Sequence, residues 1–198
     1  VSEAFNTETI VLHGIPVRIE LAYDNDHGMP WDECDGHGII RKAIAHYGRP
    51  EKSPGEVIIH SDRGHYWLYD FKGTTEKAKS EGWGISGNTS VMTKRQIVRA
   101  AVMRDMEHCR EWLTGERYYI GITVTALNAD GEEIESDSCW GFDYGCSRED
   151  MDYVENEAKE MAARIAESVF DQKRQAWRAA LREARQRRYW ETRDIVTA

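Results

Sequence analysis

The chain has 198 residues, 40% hydrophobic and 31% charged, with a mean hydropathy of -0.67: enough apolar material for one domain, or one domain with a helical appendage. Its 26 bases against 35 acids give a formal net charge of -9, which argues against general DNA binding because phosphate neutralisation needs a basic face. No run approaches the ~20 apolar residues that span a bilayer, and Val1 to Phe5 lacks the basic and apolar segments of a secretory signal, so a cytoplasmic protein without membrane contact is expected.

The first element in chain order is a hairpin. Thr9 to His13 leads through Gly14 into a second arm ending at Tyr23, where Val17, Ile19, Leu21 and Tyr23 alternate with Arg18, Glu20 and Ala22. A polar loop follows from Asp24 to Gly38, and Ile39 to Tyr47 reads as a short closing helix. Glu56 to His60 and His65 to Phe71 form a second hairpin across Ser61-Asp62-Arg63-Gly64. A short helix is expected from Gly73 to Ser80, and residues 84–90 read as a loop.

Thr93 with Gln96 has the form of a capping box. Behind it Ile97, Val98, Ala101, Val102, Cys109, Trp112 and Leu113 make a helical stripe that Gly115 stops. The third hairpin carries Tyr118, Ile120, Ile122, Val124 and Ala126 on one face of its first arm. Ile134, Trp140 and Phe142 share a face of the second, across Asn128-Ala129-Asp130-Gly131. From Ser147, a candidate N-cap, the chain is helical almost to its end, and a break near Asp171-Gln172 is expected to divide it into two helices. The fold class is therefore α+β: an antiparallel sheet of about six strands, one central helix and long C-terminal helices. Residues 1–146 form the sheet part and 147–198 a helical segment packed on it.

Charge is segregated along the second half. From Asp130 to Glu160 twelve acids stand against Arg148 and Lys159, a local charge of -10. From Gln172 to Asp194 eight bases stand against three acids, +5. Such runs usually only solvate a face, or attract one another within a fold or across a homodimer. The sharper reading is an acidic surface that docks on a basic partner, with Glu132, Glu133, Glu135, Asp137, Asp150, Asp152 and Glu155 as contacts and Trp31 as an aromatic anchor. A nucleic-acid reading uses Arg178, Arg182, Arg185 and Arg188, with Trp177, Tyr189 and Trp190 to stack on bases.

The loop Asp24 to Gly38 is the most site-like segment. Asp24, Asp26, His27, Asp35 and His37 are candidate ligands for a divalent cation in a metal-dependent hydrolase or nuclease, although the spacing fits neither an EF-hand nor another named metal motif. The plainer reading is a surface loop whose Asp and Gly serve turns. Cys34, Cys109, Cys139 and Cys146 form no C-x-x-C pair and read as free thiols. His13, His60 and His65 lie on or beside strands, where packing roles are expected. His108 and Cys109 point apart on a helix, and no nucleophile elbow, zincin, P-loop or dinucleotide motif occurs. No cofactor and no catalytic residue is expected.

The set Asp26-His27-Gly28-Met29-Pro30-Trp31, Asp35-Gly36-His37-Gly38, Pro54-Gly55-Glu56, Asp62-Arg63-Gly64, Tyr69-Asp70-Phe71, Gly82-Trp83-Gly84 and Ser136 to Phe142 resembles a group of uncharacterised proteins of tailed bacteriophages and prophages. The resemblance covers most of the chain and transfers no functional residue. It implies a bacterial host cytoplasm as the setting. There, small acidic proteins often act by occupying a host protein, as anti-CRISPR and antirestriction inhibitors do. The reading is then a non-enzymatic accessory protein that binds a host protein or nucleoprotein through its acidic surface.

Overall fold

The computed structural model describes residues 3–85, 92–145 and 147–196, with side chains described to residue 189. It is an α+β structure with seven strands in two antiparallel sheets. The chain divides into two compact units, the first from residues 1–24, 120–142 and 148–198, the second from 25–119 and 143–147. The division therefore does not fall at residue 146: the long helix shares a unit with the first and third hairpins, and the middle of the chain forms the other.

Strands β1 (Ala4–Leu12), β2 (Ile15–Tyr23), β6 (Arg117–Leu127) and β7 (Glu133–Gly145) lie in the order β1-β2-β6-β7, and all but residues 117–119 of β6 and 143–145 of β7 belong to the first unit. His13 and Gly14 both take positive φ, 51° and 74°, the paired left-handed geometry of a tight two-residue hairpin turn. Ile19 lies opposite Val124 and Leu21 opposite Ile122, so these alternate residues share one face. Helix α4 (Arg148–Val196) lies over that face. It buries Val154, Ala158, Met161, Ala162, Ile165, Ala166 and Val169 there, a three-to-four-residue stripe matched to the period-2 face beneath.

Trp140 lies over Gly121 on the opposite face, where a Cβ would meet the indole at 2.0 Å. Phe142 instead packs on Tyr153 of α4, at 6.2 Å between ring centroids. The two aromatics do not share a face as alternation predicts. Gly141 stands between them at φ 85°, a left-handed residue that re-aims the strand.

In the second unit, β3 (Ile40–Ile44), β5 (His65–Asp70) and β4 (Glu56–Asp62) form a three-stranded sheet in that order. Ile39 to Tyr47 is thus no helix. Its centre pairs with β5, Ile40 opposite Tyr69 and Ile44 opposite His65. Short α1 (Pro30–Glu33) lies in the polar loop. Helix α2 (Phe71–Glu81) starts two residues before the expected point, because the Asp70 side chain caps it by accepting from Gly73 N at 2.9 Å. Helix α3 (Lys94–Thr114) begins at the Thr93–Gln96 capping box and ends at Gly115 in the left-handed conformation. Ile59, Tyr69, Ala78, Val98, Val102 and Cys109 form this unit's core. Residues 86–90 of the expected loop lie outside the described residues.

Candidate functional site

The acidic run occupies the edge strand β7 and the start of α4. Glu132, Glu133, Asp137, Asp152 and Glu155 are exposed, while Glu135 and Asp150 are half-buried. Glu135 accepts from Ser168 Oγ at 3.1 Å and Gln172 Nε2 at 3.0 Å, which fixes it against α4. Glu132 accepts from Asn128 Nδ2 at the turn, and Asp152 and Glu155 pair with Arg148 and Lys159 one helical turn away. Exposed pairs of that kind contribute well under 1 kcal/mol and leave the surface acidic. Asp143 is different: in the second unit it takes Arg117 Nη1 at 3.0 Å and His108 Nε2 at 3.4 Å.

Sequence reading divides α4 near Asp171-Gln172, but one unbroken helix of 49 residues runs through that point. No proline or glycine interrupts 148–196, and Asp171 pairs with Arg174 at 3.1 Å, an i,i+3 bridge that supports continuity. The geometric consequence is large. Glu155 and Arg182 are 27 residues apart, about 40 Å at 1.5 Å per residue, so the basic half cannot fold back on the acids of α4's first turns, whereas Glu135 on β7 lies beside Gln172, where the basic half begins. Every residue from 172 to 189 is exposed, including Arg178, Arg182, Arg185 and Arg188, with Trp177 and Tyr189 beside them.

Trp31 is half-buried against the core of the second unit, so it serves packing and does not stand out as a contact residue.

The five loop residues considered as metal ligands do not converge as a set. Asp24 belongs to the first unit and the other four to the second. His27 Nδ1 bonds Glu33 Oε2 at 3.0 Å, and Glu33 also accepts from Gly28 N. These bonds hold the Glu33 carboxyl below its usual range, the backbone amide contributing most. Asp35 is exposed. His37 alone turns inward. Its Nδ1 lies 3.2 Å from Oδ1 of Asp105 on α3, a residue that sequence reading passed over.

Asp105 is the hub of the second unit's polar interior. Its Oδ2 accepts from Tyr69 OH at 2.5 Å and Gly38 N at 2.9 Å, and Cys109 Sγ lies 3.9 Å from Oδ1. Lys77 Nζ donates to the His37 carbonyl and Thr74 Oγ1 accepts from Ile39 N, both at 2.9 Å, so α2 pins the loop on each side of Gly38. Gly38 is required sterically, since a Cβ there would lie 2.5 Å from the Tyr69 ring. Burial, and next the Asp105 carboxylate, push the Tyr69 phenol and the Cys109 thiol well above their ordinary pKa ranges. His108 stacks on His37 at 5.5 Å and 10°, and its pKa is lowered by burial. Gly36, His37, Trp83, Arg104, Asp105 and His108 border an open hollow of about 360 Å³.

The signal for Asp105 was present in the sequence. Val98, Val102, Asp105, Cys109 and Trp112 follow the three-to-four step of an inward stripe, and a carboxylate at such a position needs buried donors. Among the other histidines, His60 packs on Trp67 at 5.2 Å and His13 on Phe170 at 5.5 Å, while His65 is exposed. Cys34, Cys109 and Cys139 are free thiols, and Cys146 lies outside the described residues. No described helix is long and apolar enough to cross a membrane. Comparison with protein-family models, with curated proteins and with solved structures finds no match in any of the three.

Proposed function

We propose that the protein is a non-enzymatic binding protein whose acidic surface, on β7 and the outer side of α4's first turns, docks on a basic face of another macromolecule. One observation carries this reading: α4 is continuous, so Arg182 and the arginines beyond it stand about 40 Å or more from Glu155 in α4's first turns, while Glu132, Glu133 and Asp137 are exposed on β7 and the turn before it. The resemblance to phage proteins supports a host protein or nucleoprotein as the partner, a CRISPR effector being one whose nucleic-acid channel presents such a face. The carboxylates set association rate and partner choice, because charges on an exposed rim steer encounter more than they add affinity.

The test is capture from host lysate, followed by association kinetics with the captured component. The variant E132Q/E133Q/D137N is expected to slow association by on the order of tenfold at low salt, and added salt to slow the wild-type chain similarly. Failure to capture any component, or a rate indifferent to both changes, removes the reading.

A second reading has its own support. Arg178, Arg182 and Arg185 are exposed on a helix that also exposes Trp177, which suits a strand of nucleic acid with stacked bases.

A further inference from the structure

We propose that His37, Asp105 and Cys109 form a mononuclear zinc site inside the second unit, independent of the acidic surface. One ligand atom from each, an imidazole nitrogen, a carboxylate oxygen and the thiol sulfur, lies within 4.8 Å of the other two. Zinc holds nitrogen and oxygen at about 2.0–2.2 Å and sulfur at about 2.3 Å, so ligand atoms on its tetrahedron stand roughly 3.3–3.7 Å apart. The observed 3.2 Å from His37 Nδ1 to Asp105 Oδ1, and 3.9 Å from Cys109 Sγ to the same oxygen, bracket that separation.

The support around the ligands has the arrangement a metal centre needs. Asp105 and Cys109 are four residues apart on α3 and so project from one face of a rigid element. His37 is pinned through its own carbonyl by Lys77 and through its neighbours by Asp105 and Thr74. Tyr69 OH and Gly38 N occupy Oδ2 of Asp105, which turns Oδ1 toward the other two ligands, the role that outer hydrogen bonds play at metal carboxylates.

The donor set selects the ion. A thiolate with an imidazole suits zinc, whereas magnesium and calcium take oxygen sets. Charge balances too: the Cys109 thiol gives up its proton to solvent on binding, so thiolate and carboxylate together cancel the dication. Three protein ligands leave a fourth position, and the hollow bordered by His37, Asp105 and His108 is where a water or a ligand atom would enter.

The test uses the full chain, stripped with chelator and titrated with cobalt(II) as a spectroscopic stand-in for zinc. Saturation at one equivalent is expected, with thiolate-to-cobalt charge-transfer absorption that zinc abolishes by competition. His37→Ala should weaken cobalt binding by on the order of 10–100-fold or more, at least the loss that follows from removing an outer-shell partner. The variant C34S/C139S/C146S should keep the wild-type spectrum, because its remaining thiol is Cys109. His37 is partly exposed and makes no part of the apolar core, so the alanine variant is expected to fold. Absence of a saturable charge-transfer band in the wild-type chain overturns the proposal. So does a band lost in the triple-serine variant, or one that His37→Ala leaves unchanged.

Discussion

A single carboxylate ties three stretches of the second unit together: Asp105 on α3 receives Tyr69 from β5 and Gly38 and His37 from the loop. Hydrogen bonds to a charged acceptor are worth about 1.5–3 kcal/mol each, so Tyr69→Phe is expected to lower stability by about that amount in urea denaturation. A loss below about 0.5 kcal/mol would show that Gly38 and His37 satisfy Asp105 without it. A second residue-scale prediction concerns acid. Glu56 accepts from Arg41 at 2.5 and 2.7 Å and from Ser53 N at 2.6 Å, and these partners, Arg41 foremost, hold its pKa at about 2. Its folded pKa lies below its unfolded one, so its contribution is fully present above about pH 4.5 and fades as pH falls toward 2. Glu56→Gln should flatten the pH dependence of stability in that window, measured as melting temperature against pH; an unchanged slope would contradict the pairing. Neither cluster was legible beforehand, for one reason. Local patterning reveals which face a residue occupies, but which distant donors meet it there is set by tertiary packing. Asp105 meets Tyr69, Gly38 and His37 from 36 to 68 positions away in sequence.

The three hairpins were readable as elements because period-2 alternation and turn chemistry are local signals: His13-Gly14, Arg63-Gly64 and Asn128 to Gly131 all make the expected turns. Strand β3 was not. Ile40, Ala43 and Ile44 suit a helical face as well as a strand over so short a stretch, and pairing with β5 decides the matter. Helix α4 was legible in phase but not in continuity, since nothing at Asp171-Gln172 breaks it except the end of the apolar stripe. That end divides the helix energetically. Up to Val169 it buries seven side chains, and from 172 to 189 it buries none. Ile165→Ala should therefore cost about 2–5 kcal/mol, the usual loss for an aliphatic side chain cut back in a core. Deleting residues 172–198 should change stability by less than about 1 kcal/mol. Comparable losses from the two changes would mean that the distal half packs on something.

At the scale of the whole molecule, the same deletion separates the two binding readings by sign. Eight bases and three acids leave with residues 172–198, so the formal net charge moves from -9 to -14. A basic partner approaching the acidic surface feels the distal arginines only if salt lets their field reach it. Arg182 stands about 40 Å from Glu155, several Debye lengths at 0.15 M, where the length is ≈ 8 Å, but close to one at 0.01 M, where it is about 30 Å; Arg174 and Arg178 lie only about 3 and 9 Å along the helix from Gln172, which bonds Glu135 of β7. Truncation should thus accelerate association modestly at physiological salt, through loss of the bases nearest β7, and more strongly at low salt, with a steeper salt dependence. A complex with nucleic acid made by Arg178, Arg182 and Arg185 behaves oppositely. It weakens as salt rises in the full chain and disappears from a gel-shift assay on truncation at every salt concentration. Faster binding of the truncated chain at low salt assigns the function to the carboxylates; loss of binding assigns it to the arginines.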